Sequence, residues 1–208
     1  KNFEIRSTGW PKNETNIYSG KVTVLTGIAK SLNTVAVDIV QRLTPEKAFD
    51  FAYNRLNLST LVESRTVTKK DGSTEVQSDV NLSPMALGGL TDGVTVLDMA
   101  AAYSAFTNDG YYTEPILYTK VYSSTGELLL DNTPTKTEAM SSKTATYMIE
   151  LLTNAVTNGT GSRAALGGGI EVGGKTGTTT SNNDRWFAGI TPYYTGVVWF
   201  GYDRQQEI

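Results

Sequence analysis

The strongest constraint on the fold of this chain lies in its C-terminal part. Three short segments rich in β-branched and aromatic residues follow one another there: IEVGGKTGTTT, RWFAGIT and TGVVWFGYD. The links between them, residues 181–184 and 192–194, are short and contain turn-forming residues. Short links join antiparallel strands, because a parallel pair needs a crossover of a dozen or more residues. The sequence therefore predicts an antiparallel β-meander at this end.

Helical patterns precede the meander. Apolar residues recur at helical spacing in four stretches: 22–30, 34–43, 95–106 and 141–157, the last capped by Ser141 or Ser142. Thr44-Pro45-Glu46 has the composition of a helix start and predicts a further helix to about residue 56. Residues 116–131 read as a hairpin around Ser124-Thr125-Gly126. Helices first and an antiparallel sheet last indicate an α+β fold rather than alternating α/β units.

A glycine-rich motif in the meander has two interpretations. Residues 169–176, GIEVGGKT, match the phosphate-loop pattern G-x-x-x-x-G-K-[ST]. A phosphate loop needs a helix directly after it, but Gly177 and three threonines make a poor first helical turn. Nucleotide binding is therefore a remote alternative. Residues 159–164, GTGSRA, fit a dinucleotide pattern but follow a helix, which favours a helix stop with a loop.

The composition limits the catalytic chemistry. The chain has no histidine and no cysteine, so a Ser-His-Asp triad, a thiolate nucleophile and a His- or Cys-ligated metal are excluded within it. Acid–base catalysis at neutral pH would therefore need a Lys, Asp, Glu or Tyr with a shifted pKa. The net charge of −3 includes no basic run, so nothing indicates nucleic-acid binding. Neither a cofactor nor a metal is predicted.

An edge strand through the same motif would offer a different chemistry. Side chains alternate along a strand, so Lys175, Gly177 and Thr179 would share one face, and Thr176 and Thr178 the other. An edge strand leaves backbone amides free to donate. A lysine, threonine hydroxyls and spare amides together form a site for an acyl substrate that carries a carboxylate.

A second motif, earlier in the sequence, indicates a protein family that uses this chemistry. Ser31-Leu32-Asn33 with Lys175-Thr176-Gly177-Thr178 resembles the S-x-N and K-T-G motifs of penicillin-binding proteins and serine β-lactamases. Longer segments resemble the transpeptidase domain of class A, bifunctional penicillin-binding proteins: GWPKN, AKSLNTVAV, LGGLTDGVTVLDMAAAYSAFTNDG and GGKTGTTTSNNDRWFAGITP. The resemblance covers about residues 9–203. It implies the penicillin-binding-protein/serine β-lactamase-like fold, with a helical part and a C-terminal antiparallel sheet.

The third motif of that family, S-x-x-K, does not occur in this chain: no lysine has a serine three positions before it. In the family, the nucleophilic serine and its lysine precede the S-x-N motif, and here they would precede Lys1. We therefore expect residues 1–208 to be the C-terminal portion of a transpeptidase domain whose N-terminal part is missing.

The resemblance implies three catalytic roles. The missing serine would attack the carbonyl of a D-Ala-D-Ala peptide end, and the acyl group would pass to the amine of a neighbouring stem peptide. Ser31 would relay a proton to the leaving amine. Asn33 would hold a substrate amide and the missing lysine, whose pKa the cation of Lys175 would lower. An alternative is that Ser31 and Asn33 merely end one helix and cap the next.

The resemblance also implies how the substrate is bound and where the protein acts. The hydroxyls of Thr176 and Thr178 would bind the terminal carboxylate, Gly177 would allow close approach, and the Thr178 N–H would complete an oxyanion hole. The expected ligands are peptidoglycan stem peptides and β-lactams. The expected location is the outer face of the cytoplasmic membrane, through an anchor and a glycosyltransferase domain upstream. A β-lactam or peptidoglycan sensor without cross-linking activity is the second hypothesis.

Overall fold

The computed structural model describes residues 9–204 and 206–208. The first eight residues of the predicted domain lie outside this description. Six α-helices occur in the described residues: α1 (Val24–Ala29), α2 (Asn33–Leu43), α3 (Pro45–Asp50), α4 (Leu82–Leu87), α5 (Val96–Thr107) and α6 (Ser142–Asn158). None of them is both long and apolar enough to cross a membrane.

The predicted helix starts are confirmed by their caps. The hydroxyl of Thr95 accepts the Asp98 N–H at 3.0 Å, and that of Ser141 accepts the Thr144 N–H at 3.2 Å. Thr44 caps α3, which continues into a π-helical turn, Phe51–Arg55, close to the predicted end. Helix α4 was not predicted, because six residues with a proline in the first turn are too few to show a helical period.

The described residues also form nine β-strands: β1 (Arg65–Thr68), β2 (Thr74–Gln77), β3 (Tyr111–Thr113), β4 (Lys120–Tyr122), β5 (Leu128–Asp131), β6 (Lys136–Glu138), β7 (Gly173–Thr178), β8 (Asp184–Ile190) and β9 (Thr195–Gly201). The last three make an antiparallel sheet in the order β7-β8-β9, as predicted. The predicted hairpin is β4–β5. The β3–β6 pair was missed, because its three-residue strands lie far apart in sequence.

Helices α5 and α6 pack on one face of the C-terminal sheet. Gly173 lies so close to α6 that a Cβ there would be 3.2 Å from the Cβ of Leu152. Leu152, Ala188 and Ile190 are buried at this contact. The contact matters for function because it fixes β7, the strand with the K-T-G motif, against the helical part of the molecule.

The alanine-rich helix α5 explains how the helical part packs. Ala102 joins a cluster with Phe49, whereas Ala105 joins a second cluster with Tyr112. Small side chains allow neighbouring elements to approach α5 from both sides, which larger ones would prevent. The helix is therefore the centre of the core that supports the sheet.

A buried aspartate ties the loops beside the sheet together. Asp79 is fully buried, and its carboxylate accepts the Val62 N–H at 2.8 Å, the Thr91 N–H at 2.7 Å and the Thr91 hydroxyl at 2.6 Å. A buried carboxylate is tolerated only when hydrogen bonds replace its hydration. These bonds join the loop at Thr91 to the segment at Val62.

Candidate active site

The structure brings Ser31 and Lys175 into direct contact. The Lys175 Nζ donates a hydrogen bond to the Ser31 Oγ at 2.8 Å, although 144 positions separate the two residues. The same ammonium donates to the Thr176 carbonyl oxygen at 2.9 Å. The S-x-N and K-T-G motifs therefore meet at one place, as their assignment to one site requires.

Ser31 lies in a tight turn between α1 and α2. Its φ is 52°, a left-handed value that is uncommon for a residue with a side chain. The turn closes through two backbone bonds, from Ser31 N–H to the Ile28 carbonyl at 3.1 Å and from Leu32 N–H to the Gly27 carbonyl at 2.8 Å. Because the backbone is held on both sides, the Ser31 hydroxyl has a defined direction toward β7.

A second set of contacts fixes the end of α1 against the end of α6. We call it the α1–α6 junction, and it consists of Ala29, Lys30, Asn158, Gly159 and Thr160. The Thr160 N–H donates to the Ala29 carbonyl at 3.0 Å, and the Lys30 Nζ donates to the Asn158 carbonyl at 3.2 Å. A Cβ at Gly159 would lie 2.2 Å from the Ala29 oxygen, so only glycine fits there. The junction holds α1, and with it Ser31, beside the sheet.

The electrostatic environment of Lys175 favours an anionic ligand. The side chain is half-buried, and burial lowers the pKa of its ammonium because desolvation disfavours the charged form. Among the described residues, no carboxylate forms an ion pair with it. A partly desolvated cation without a carboxylate partner attracts an anion more strongly than an exposed lysine does.

Asn33 is the first residue of α2, and its Nδ2 donates to the Lys12 carbonyl oxygen at 2.8 Å. Its expected partners, a substrate amide and the upstream lysine, are not part of this structure. Its assignment to the site stays a prediction.

The structure bears out one half of the helix-capping alternative: Ser31, with its positive φ and the two backbone bonds of its turn, ends α1, but Asn33 does not cap α2. The cap position of α2 is Leu32, which makes no side-chain cap bond. The Thr34 N–H instead donates to the Oδ1 of buried Asn13 at 3.1 Å. Asn13 was missed because it comes from an irregular segment 21 positions away, where no local pattern marks it.

Strand β7 carries the three predicted substrate-binding residues at the edge of the sheet. Thr176 is half-buried, whereas Gly177 and Thr178 are exposed. The strand runs on through Thr178 and does not give way to a helix at Thr176, so the geometry that a phosphate loop requires is absent from this segment. The edge-strand interpretation of the motif is confirmed, and the substrate-binding roles stay predictions.

One residue of the site region was not predicted from the sequence. The Thr160 Oγ1 lies 3.0 Å from the Thr176 Oγ1, within hydrogen-bond distance. The pattern of residues 159–164 predicts only a helix stop with a loop, and a hydroxyl beyond such a stop has no local signature of a site.

The turn after β7 is held by Asp184. Its Oδ2 accepts the Thr179 hydroxyl at 3.0 Å, and its Oδ1 accepts the Trp199 indole N–H at 2.9 Å. Beside this turn lies a cavity of about 730 Å³, lined by residues 88–96, 179–180 and 183–184 and by the indoles of Trp186 and Trp199. Trp186 pairs with Gly177 in the sheet, so the cavity adjoins the K-T-G strand. Its volume is in the range of small-molecule sites.

A known family and several curated proteins match nearly the whole chain. The family model described as the penicillin binding protein transpeptidase domain matches residues 2–206. Penicillin-binding protein 1A of Clostridium perfringens strain 13 is 35% identical over 211 residues, which cover 100% of this chain and 30% of that protein. Penicillin-binding protein 4 of Bacillus subtilis is 36% identical over 198 residues, which cover 95% of this chain and 29% of that protein. The chain thus spans less than a third of the length of these relatives.

Solved structures show the same fold. Penicillin-binding protein 1A from Haemophilus influenzae superposes with a TM-score of 0.73 at 23% identity, covering 94% of this chain and 32% of that one. Mycobacterium tuberculosis PonA1 in complex with penicillin V superposes with a TM-score of 0.75 at 24% identity, covering 94% and 52%. At such identities the likeness concerns the fold alone. It confirms the α+β architecture that the sequence predicted.

Proposed function

Because this chain belongs to the transpeptidase domain family of penicillin-binding proteins, of the class A, 1A-like type, we propose that it supplies the S-x-N and K-T-G parts of a D,D-transpeptidase site. The proposed reaction cross-links peptidoglycan stem peptides through a serine acyl-enzyme. The observation that carries the proposal is the 2.8 Å hydrogen bond from Lys175 to Ser31, which joins both motifs. The nucleophilic serine is proposed to precede Lys1 in a longer protein.

The hydrogen bond between Lys175 and Ser31 supports a proton-relay role for the serine. The Ser31 Oγ accepts from the ammonium, so its own proton is free to point toward the leaving amine. As that proton moves to the amine, negative charge develops on Ser31, and the ammonium already in place stabilises it. The upstream lysine would act in neutral form as the base for the nucleophile, and the nearby cation of Lys175 favours that form.

The open edge of β7 suits the acyl donor. The cation of Lys175 and the hydroxyls of Thr176 and Thr178 would bind its terminal carboxylate through charge-assisted hydrogen bonds. The Thr178 N–H would stabilise the oxyanion together with the N–H of the nucleophilic serine. One such donor contributes about 3 kcal/mol to transition-state stabilisation. The same groups would bind the carboxylate of a β-lactam. The PonA1 structure named above contains penicillin V in complex with that protein.

The proposed site of action follows from the family. Cross-linking takes place outside the cytoplasmic membrane, and the longer protein would be held at its outer face by an anchor elsewhere in the sequence. The described helices do not supply such an anchor, since none of them can cross a membrane. Fractionation of cells that express the longer protein would test this location.

Labelling of the longer protein with a fluorescent penicillin tests the function. We expect one label, on a serine before Lys1. Ser31→Ala and Lys175→Met should lower the acylation rate by about 100-fold, the scale of a lost proton-transfer group. The matched controls are Ser124→Ala and Lys143→Met, which alter an exposed serine in a hairpin turn and an exposed lysine on α6.

Two outcomes would overturn the proposal: a label within residues 1–208, or acylation that is insensitive to Ser31→Ala. A cross-linking assay with stem peptides then separates the two hypotheses. A protein that is labelled but forms no cross-linked product is a sensor or binding module.

A further inference from the structure

The hydroxyl of Thr160 adjoins the proposed carboxylate site from outside the three family motifs. Its Oγ1 lies 3.0 Å from the Oγ1 of Thr176, the threonine of the K-T-G motif. We propose that Thr160 is a positioning residue, which orients the Thr176 hydroxyl toward the carboxylate of the acyl donor. This inference rests on the proposed function, in which Thr176 binds that carboxylate.

The backbone of Thr160 is fixed by the α1–α6 junction. Its N–H donates to the Ala29 carbonyl at 3.0 Å, two residues before Ser31. Gly159 before it leaves no space for a Cβ beside the same carbonyl. The position of the Thr160 hydroxyl is therefore set by the same turn that places Ser31. Through Thr160, the carboxylate-binding strand is linked to the element that carries the proton relay.

The direction of the hydrogen bond follows from proton counting. A threonine hydroxyl has one proton, and a carboxylate can only accept. When a carboxylate is bound, Thr176 must give its proton to it, so Thr160 must be the donor to the Thr176 oxygen. The resulting chain, Thr160 to Thr176 to carboxylate, polarises each bond and strengthens the last one. Without Thr160, the Thr176 hydroxyl loses the partner that holds its rotamer.

The expected size of the effect is that of one neutral hydrogen bond. Such a bond contributes about 0.5–1.5 kcal/mol, which corresponds to about a two- to twelvefold change in rate or affinity. The Thr160 side chain is exposed, so water competes for its hydroxyl, and the effect should lie inside this range.

The test uses acylation of the longer protein by a penicillin and by the methyl ester of the same penicillin. Thr160→Val removes the hydroxyl at nearly constant shape, and it should lower the acylation efficiency of the free acid by about three- to tenfold. The ester has no carboxylate, so its efficiency should change by less than about twofold. Thr160→Ser keeps the hydroxyl and should restore the acid-to-ester ratio of the wild type.

The matched control is Thr157→Val, in the last turn of α6, three residues before Thr160. Its hydroxyl donates to the Thr153 carbonyl within α6 at 2.9 Å, and it should leave the acid-to-ester ratio unchanged. In a Thr176→Val background, Thr160→Val should have no further effect on the free acid. A purely structural role for Thr160 would instead lower acid and ester efficiencies equally, and it would persist in that background.

The results distinguish a failure of the proposed function from a failure of the positioning role of Thr160. If the wild-type protein is not acylated at all, the proposed function fails. If it is acylated normally and Thr160→Val leaves the acid-to-ester ratio unchanged, the proposed function stands and the positioning role of Thr160 is wrong.

Discussion

At the scale of single residues, the partly buried charge of Lys175 destabilises the folded state but favours binding of an anion. Its ammonium is half-buried and has two hydrogen-bond acceptors, Ser31 and the Thr176 carbonyl, but no carboxylate partner among the described residues. Burial lowers its pKa, which means that the folded protein disfavours the charge. An incoming carboxylate supplies the missing countercharge. In the proposed complex, the substrate carboxylate and not a protein side chain neutralises the charge of Lys175.

This balance predicts a stability effect of Lys175→Met. The pKa of Lys175 is lower in the folded than in the unfolded state, so the unfolded state binds more protons between the two values. The wild type therefore gains stability as pH rises through that window, up to the ordinary lysine value of about 10.4. We expect the variant to melt at the same or a higher temperature than the wild type at pH 7.

Thermal unfolding of the longer protein across pH 7 to 10.4 measures this effect. Any stability advantage of Lys175→Met should shrink as the pH rises, because the wild-type lysine loses its charge. Lys143→Met gives the background for losing an exposed lysine. An advantage that grows with pH would contradict the assignment of Lys175 as a disfavoured buried cation.

At the scale of elements, the α1–α6 junction decides where the two motifs lie. Helix α1 is only six residues long and would not hold a fixed position by itself. Its C-terminal end is fixed through Ala29 and Lys30 to the end of α6, and α6 packs on β7. The S-x-N turn and the K-T-G strand thus share α6 as a common support.

Gly159→Ala tests this arrangement. The backbone of Gly159, with φ −130° and ψ −155°, is extended and accepts alanine, but the added Cβ would meet the Ala29 oxygen at 2.2 Å. The Cβ would also lie 2.7 Å from the Ala155 oxygen of α6, so relief of both contacts must displace the junction, at a cost of about 1–3 kcal/mol. We expect a lower melting temperature and slower penicillin acylation.

Gly167→Ala is the matched control, because a Cβ there meets nothing within 4 Å and its φ is not positive. It should leave both properties unchanged. Equal behaviour of the two alanine variants would mean that the junction does not hold Ser31 in place.

At the scale of the whole molecule, the second face of the C-terminal sheet carries an exposed apolar patch. Phe187, Val198 and Phe200 lie on the face opposite α5 and α6, next to the exposed Arg185, and Val198 and Phe200 are 64% and 58% exposed. An antiparallel sheet with one solvated face shows polar residues there. The chain spans less than a third of its relatives. We infer that other residues of the longer protein cover this face.

A pair of valines tests this inference. Val198 on β9 and Val76 on β2 are exposed to nearly the same extent in this structure, 64% and 66%. In the longer protein, Val198→Lys should destabilise by about 3 kcal/mol or more, since it places a charge in a covered contact. Val76→Lys should change stability by less than about 0.5 kcal/mol. Similar unfolding midpoints for both variants in a denaturant titration would show that the face is solvated.

Much of the fold and part of the site were predictable from local sequence. The helix starts at Thr95 and Ser141 and the three-stranded meander depend on caps, periodicity and short turns, which act between neighbours in the chain. The edge-strand form of the K-T-G motif was predictable because Gly177 and the threonines after it disfavour a helix. Helix α4 and the β3–β6 pair were too short or too distant in sequence to leave such a signal.

The sequence by itself determined the types of groups available: no histidine, no cysteine, and a lysine and two threonines on a strand that cannot become a helix. Only the tertiary structure decided which groups meet. Ser31 reaches Lys175 across 144 positions and Thr160 reaches Thr176 across 16, because α1 packs on α6 and α6 packs on the sheet. Asn13 caps α2 across 21 positions. Local propensities act over a few residues and cannot specify such contacts. Burial and side-chain packing across the whole chain specify them.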